Sequence, residues 1–222
     1  MANQDMHREW ALKTRGHEDS GTLGESVVEI LDCAALCFTE MGFQGTSIDD
    51  VARRLGATKG RIYHYFRSKT DLFFDVHREG MRRLMDAVTA AKRDDGTGRE
   101  KLQRMLEAHA LTMMQNIAYE AVVVQGVHMH RLTATTPEQR ISLDEIMDIR
   151  HRFEQLFADV FREGQADGSI RRDADVSLAV KGMLGAVNWM TIWYRPRSGE
   201  SPEQQRAMAR SVAALQIGGI AG

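Results

Sequence analysis

Between Arg53 and Lys69 the chain places six cations, Arg53, Arg54, Lys59, Arg61, Arg67 and Lys69, and not one Asp or Glu. Interleaved with them are Tyr63, His64 and Tyr65, side chains that stack or form hydrogen bonds. Cations gathered over so few residues suit a nucleic-acid phosphate backbone, and polar aromatics beside them suit base edges. The chain as a whole exerts no such pull: 29 Lys+Arg stand against 31 Asp+Glu, a formal net charge of −2. The basic island is therefore local, and a local structure must present it.

The flanking pattern supplies that structure. Ile48, Val51, Ala52 and Leu55 fall at i, i+3, i+4 and i+7, one buried helical face. Ser47 is placed to cap this helix, its hydroxyl accepting from the backbone near Asp50, while Asp49 and Asp50 sit where the helix dipole favours acids. Gly56 stops the helix, because glycine reaches the left-handed conformation such a stop requires. Thr58 caps a second short helix with inner residues Ile62 and Phe66, which leaves Lys59, Arg61, Tyr63 and His64 outward or flanking. Two short helices about one glycine make a helix-turn-helix. A solvated helical hairpin would share the periodicity, but cap, turn and charge segregation coincide here in one segment.

The segment from about Glu25 to Leu84 resembles the DNA-binding head of the TetR family of transcriptional regulators. The resemblance is carried by Ile30, Leu31, Ala34, Ala35 and Phe38, the Gly42-Phe43 turn, Thr46, the Ile48 to Leu55 helix and Gly56. It continues through the run Lys59-Gly60-Arg61-Ile62-Tyr63-His64-Tyr65-Phe66, then Ser68-Lys69 and Asp71-Leu72. It implies a homodimer on palindromic double-stranded operator DNA, with the two heads in successive major grooves, and in most relatives repression. By the same resemblance Thr46 and Ser47 sit at phosphates, Lys59, Arg61, Tyr63 and His64 at bases or backbone, and Lys69 at a phosphate. Thr58, Gly60 and Tyr65 complete the expected contact set.

The remaining sequence reads as all-α: an N-terminal three-helix head followed by a larger helical ligand-binding and dimerisation domain. Residues 1–22 read as a flexible arm in which Arg8, Lys13 and Arg15 are the cations within reach of DNA, 23–69 as the head, and 70–222 as the second domain. Thr136-Pro137-Glu138-Gln139 and Ser201-Pro202-Glu203-Gln204 are capping boxes with proline at the first helical position, so both mark helix starts. The expected helices after the head run from about Thr70 to Lys92, Arg99 to Gln115, Glu120 to Arg131 and Pro137 to Gln165. A further helix capped by Asp173 extends to near Tyr194, and a last one runs from Pro202 to about Ile217. No apolar run reaches the length of a membrane span and no signal peptide is evident, so a cytoplasmic protein without a membrane partner is expected. Cys33 and Cys37, the only cysteines, share one side of the first helix. That spacing suits a redox pair, and small buried side chains explain it as well.

Two further features bear on control of the head. Trp189 and Trp193 are four residues apart, with Tyr194 and Arg195 following. On a continuous helix they would form an aromatic wall beside a guanidinium, suited to a ligand apolar at one end and anionic at the other. The alternative is that the tryptophans fill a dimer core. The stretch, with the long helix from Pro137, resembles the TetR regulators that sense acyl-coenzyme A thioesters, which implies a small-molecule effector of that kind. A multidrug-type regulator, or a helical interaction module without DNA binding, are the other readings. His128 and Arg131, grouped with His130, Arg150, His151 and Arg152, are the second candidate ligand cluster, as phosphate receptors or as a wet surface. The small residues Ala179, Gly182, Gly185 and Ala186 beside Leu178, and Met208, Val212 and Leu215 of the last helix, mark an expected dimer face. Thirteen methionines, among them Met113, Met114, Met129, Met183 and Met190, suit either a pocket lining or an ordinary core. Gly-x-x-x-x-Gly-Lys-Ser, Gly-x-Ser-x-Gly and His-Glu-x-x-His patterns are absent from the sequence, so no catalysis, metal or cofactor is expected.

Overall fold

The computed structural model describes residues 22–92, 95–129 and 136–220. The arm cations Arg8, Lys13 and Arg15 and the candidate ligand residue Arg131 lie outside them. Among the described residues the chain is built of helices with no extended strand, in two compact units divided after Val76.

The first unit holds α1 (Thr22–Gly45), α2 (Ile48–Leu55), α3 (Lys59–Tyr65) and the start of α4 (Lys69–Lys92). α1 is bent at Gly42, where φ is 70° and ψ 168°, a backbone conformation that glycine alone adopts without strain. Thr46 lies just beyond α1, and its hydroxyl donates to the Gly42 and Cys37 carbonyls at 2.8 and 3.1 Å, fixing the turn into α2. The core is Ile30, Leu31, Ala34 and Phe38 of α1, Val51 of α2, Ile62 of α3 and Leu72 and Phe73 of α4, all essentially without exposure. Phe38, Phe43 and Phe73 form an aromatic triangle with centroids 5.1 to 6.0 Å apart. Lys69 lies over the Phe43 ring, 4.5 Å from its centroid, and its Nζ donates to the Phe43 carbonyl at 2.8 Å. Cys37 is buried and Cys33 half-buried, and burial pushes the Cys33 thiol up, away from the thiolate that redox chemistry needs.

The second unit continues α4 and adds α5 (Gly98–Gln115), α6 (Ile117–Met129), α7 (Pro137–Asp167), α8 (Val176–Asn188), α9 (Met190–Trp193) and α10 (Pro202–Gly218). Both proline capping boxes form, Thr136 with Gln139 and Ser201 with Gln204, as does a third at Thr97 with Glu100. α5 and α7 meet backbone to backbone. A Cβ on Gly98 would stand 2.1 Å from the Gly164 nitrogen, and Asp167 Oδ2 accepts from the Gly98 N–H at 2.7 Å. The C-terminal end of α7 thereby caps the start of α5. Glycine also lets α4 and α6 close up, since a Cβ on Gly126 would lie 2.5 Å from the His77 ring and one on Gly80 2.7 Å from Val123. Arg83 ties the same pair, donating to Asn116 Oδ1 at 2.7 Å and lying over the Tyr119 ring.

Three boundaries differ from expectation. α6 begins at Ile117, three residues early. α8 is capped by Asp175, whose Oδ1 accepts from Leu178 N at 2.7 Å, because Asp173 is held by a two-point pair with Arg171 at 2.6 and 2.7 Å. The helix expected to reach Tyr194 is interrupted at Trp189, with α8 ending at Asn188 and the short α9 beyond.

His77, His109 and Glu120 are completely buried, and among the described residues none of their side-chain nitrogen or oxygen atoms has a hydrogen-bond partner. The Val123 carbonyl lies near His77 and the Asn188 side chain near His109, both outside hydrogen-bond geometry. Burial, with Arg150 and Arg78 adding to it, pushes the His77 imidazole down from 6.5 to about 3, and burial does the same to His109. Burial drives the Glu120 carboxyl well above its ordinary 4.5.

Replacing Gly98 with Ala forces the α5 and α7 backbones apart, and thermal melts should show a loss of about 2–3 kcal/mol, roughly 5–10 °C for a chain of this size. Glu120 allows a pH test. Its raised folded pKa means the folded state holds a proton that the unfolded chain releases above 4.5. The stability this contributes is present at low pH and lost as pH rises. Glu120→Gln should therefore raise Tm more at about pH 7.5 than at about pH 4, where both states carry the proton. The two neutral histidines act oppositely, losing stability as pH falls from 6.5 towards 3, so the comparison is made between variant and wild type at each pH.

Candidate functional site

α2 and α3 are short, so their orientation depends on their ends. Ser47 accepts from Asp50 N at 3.2 Å while Asp50 Oδ2 accepts from Ser47 N at 2.9 Å, closing a reciprocal cap. Gly56 stands at φ 68°, ψ 29°, and its N–H donates back to α2, giving the sharp stop from which α3 departs. α3 buries Ile62, half-buries Arg61 and Tyr65, and turns Lys59, Gly60, Tyr63 and His64 outward. Thr58 stands at the N-cap of α3 with its hydroxyl unused for capping, contrary to the expected side-chain cap.

The expected contact residues divide into two groups. Thr58, Lys59, Gly60, Tyr63 and His64 are exposed together along α3, with Ser47 exposed at the start of α2. Tyr63 is 52% exposed, unusual for an aromatic residue on a helix that buries its neighbour Ile62. Tyr65 is half-buried, its ring edge-on to His64 at 4.9 Å. Thr46 departs from its expected place at a phosphate, because its side chain is buried and its hydroxyl bonds two α1 carbonyls. Lys69 is directed to carbonyls at the end of α1, and Arg61 reaches Glu29 of α1 at 2.8 Å and Ser26 at 3.3 Å.

The basic island is thus less free than its sequence suggests. Arg54 makes two 2.7 Å bonds to Glu40, Arg53 pairs with Asp50 at 2.9 Å and Lys59 stands 3.7 Å from Asp49. The acids come from α1 and from the first turn of α2. Exposed pairs of this kind hold by only about 0–1 kcal/mol, so Arg53 and Lys59 remain available to a phosphate. Arg67, which follows α3, is exposed and has no ion pair among the described residues. Arg53 and Arg67 are the surface cations that the expected contact set omits, although their signal, a cation beside the recognition helix, was present in the sequence.

The aromatic candidates are arranged differently from a wall around a ligand. Val180, Met183, Val187, Met190 and Tyr194 form the buried stripe of α8 and α9. With that stripe inward, Trp189 and Trp193 face outward, 61% and 46% exposed, joining Leu178, Ile192 and the open glycines Gly182 and Gly185. Tyr194 is buried; its hydroxyl donates to Glu200 and accepts from Gln205 Nε2. Arg195 donates to the Tyr194 and Thr191 carbonyls at 2.8 and 3.4 Å, finishing α9. On α10 the buried residues are Ala209, Ala213 and Ile217, with Leu215 78% exposed and Met208 and Val212 half-buried. Met113, Met114, Met183 and Met190 are core side chains. The His128 side chain lies outside the described part of α6, as does all of Arg131. Among the described residues no group of His, Cys, Asp and Glu is arranged to hold a metal ion, and no helix is long and apolar enough to cross a membrane.

Comparisons with known proteins agree on one family. Residues 30–76 match the family described as bacterial regulatory proteins, tetR family, and residues 95–220 match the tetracyclin repressor-like C-terminal domain. Over 207 residues the chain is 27% identical to the HTH-type transcriptional repressor KstR2 of Rhodococcus jostii, covering 92% of this chain and 95% of that one. Over 194 residues it is 24% identical to the fatty acid metabolism regulator protein of Bacillus subtilis, covering 87% and 94%. Among solved structures, the TetR family regulator PfmR of Thermus thermophilus superposes with a TM-score of 0.70 at 31% identity, covering 85% of this chain and 96% of that one. A head built on α2, Gly56 and α3, and a helical second unit matched over more than half the chain, lead to one conclusion: the chain belongs to the TetR family of bacterial transcriptional regulators.

Proposed function

We propose that this protein is a transcriptional repressor that holds a palindromic operator as a homodimer and releases it on binding an acyl-coenzyme A thioester. The observation that carries the DNA reading is the outward face of α3, where Thr58, Lys59, Gly60, Tyr63 and His64 stand clear of the core on a helix anchored by buried Ile62. Tyr63 and His64 read base edges, and Ser47, Lys59, Arg53 and Arg67 engage phosphates. Arg61 and Lys69 act from behind, bracing α3 and α4 against α1.

The homodimer accounts for the outer face of α8, α9 and α10. Leu178, Trp189, Trp193 and Leu215 are large apolar side chains at high exposure, and an apolar surface of this kind marks an interaction site. The glycines between them leave room for a second backbone. A homodimer on a palindrome needs its two α3 helices in successive major grooves, roughly 34–36 Å apart. The effector class rests on the relatives named for repression and for fatty acid metabolism. A ligand that prefers the released state shifts the dimer away from the operator, and only the difference in affinity between the two states does so.

Binding to a palindrome from the protein's own promoter should weaken steeply with salt. The double variant Tyr63→Ala, His64→Ala should lose roughly 2–4 kcal/mol of operator affinity, at least about 30-fold, and sediment as the same dimer. Unchanged affinity would mean that α3 is not the reading helix. For the effector, decanoyl-coenzyme A should raise Tm and release the operator. Stabilisation by hydrophobic drugs and by no thioester would move the protein to the multidrug class.

A further inference from the structure

The core-facing stripe of α7 runs Leu143, Ile146, Phe153, Phe157 and Phe161, and one turn before Phe153 it carries Arg150. Arg150 is half-buried, and burial lowers its pKa from the ordinary 12.5. Among the described residues its guanidinium has no hydrogen bond or ion pair. The acid that acts on it, Glu154, pairs instead with Lys181 at 3.0 Å. No Asp or Glu occurs from Ala121 to Pro137, so the segment between α6 and α7 brings no counter-charge. Glu138, at the far end of α7, is 12 residues or about 18 Å away along the helix.

A half-buried guanidinium without a protein partner is open to an anion that supplies the missing charge. The groups around Arg150 point the same way. Its charge acts on His77 of α4, a completely buried imidazole with both nitrogens unpartnered. On the other side Phe153 meets the ring of His109 at 5.3 Å, and that imidazole is also buried with both nitrogens unpartnered. Each ring is neutral, so each offers one donor and one acceptor. A guanidinium, two unused imidazoles and aromatic rings on α4, α5 and α7 have the chemistry that suits a molecule apolar over most of its length and carrying an oxyanion.

We propose that Arg150 receives the anionic oxygen of the effector, with His77 hydrogen-bonding beside it and the Phe153 and His109 side accepting the apolar chain. This rests on the effector-binding reading above and assigns the residues that perform it. The oxyanion is a phosphate of coenzyme A or the carboxylate of a free acid. Arg150 presents the same fork of donors to either.

The test compares wild type, Arg150→Met and Arg150→Lys by calorimetric titration with decanoyl-coenzyme A, coenzyme A, decanoate and methyl decanoate, alongside the ligand-free Tm of each. Arg150→Met should keep or raise the ligand-free Tm, because it removes an unpaired cation while preserving the stem. It should lose at least tenfold in affinity for each anionic probe that wild type binds and none for the methyl ester. Arg150→Lys should fall between the two. Loss confined to coenzyme A compounds names a phosphate as the anion, and loss confined to decanoate names a carboxylate. Unaltered anionic binding by Arg150→Met overturns the site even if the thioester reading stands, as does a ligand-free Tm several degrees lower. Wild-type binding of decanoate without the thioester overturns the thioester reading and keeps the site. A wild type that binds no anionic probe overturns both.

Discussion

The second unit depends on the backbone contact between α5 and α7. Helix axes usually stand 8–10 Å apart because side chains separate them, and here Gly98 and Gly164 remove that spacer. The contact also satisfies polar groups: Asp167 and Ser169, at the end of α7, accept from the Gly98 and Arg99 N–H groups that begin α5. One crossing thus fixes two helix ends together and sets the register of everything further along. Three turns up α5 this register brings His109 against Phe153 and Phe157.

The head obeys a different constraint, in which charge matters more than close approach. Its cations cluster in sequence, but the acids that answer them are contributed by α1 and the first turn of α2. Arg54 and Arg61 brace the helices, while Arg53, Lys59 and Arg67 stay at the surface. Repulsion within the basic island is thereby reduced in the free protein without consuming every phosphate-binding group. The same division explains why Thr46 belongs to the turn rather than to a DNA contact. A threonine two residues ahead of a helix can cap, bond backward or face solvent, and the bend at Gly42 settles which by presenting a carbonyl 2.8 Å from the hydroxyl.

What was legible in the sequence was local. Ser47, Gly56, Pro137 and Pro202 announce helix ends through chemistry confined to a few residues, and each end stands where that chemistry puts it. The period of Ile48, Val51 and Ala52 likewise gave a buried face. What was illegible depends on partners distant in sequence. Asp173 and Asp175 are equally good caps until Arg171 takes the first. Trp189 and Trp193 make a wall only if their side of the helix faces inward, and the stronger stripe from Val180 to Tyr194 claims that side. The pairing of Arg61 with Glu29, 32 residues away, has no local signature.

Buried polarity is the least legible of all and carries the most consequence. Nothing in the spacing of His77, His109 and Arg150 distinguishes them from surface residues, yet all three lie within or beside the core. Of these, His77 lies on α4, which Gly80 and Gly126 let close against α6. Gly126 leaves the His77 ring no slack against α6. A ligand that engages His77 therefore acts on α4 at a point where α4 cannot yield sideways without opening the contact with α6. Under the proposed function, His77 and Arg150 supply affinity for the effector, and release follows to the extent that their contacts with it are stronger in the released state than on the operator.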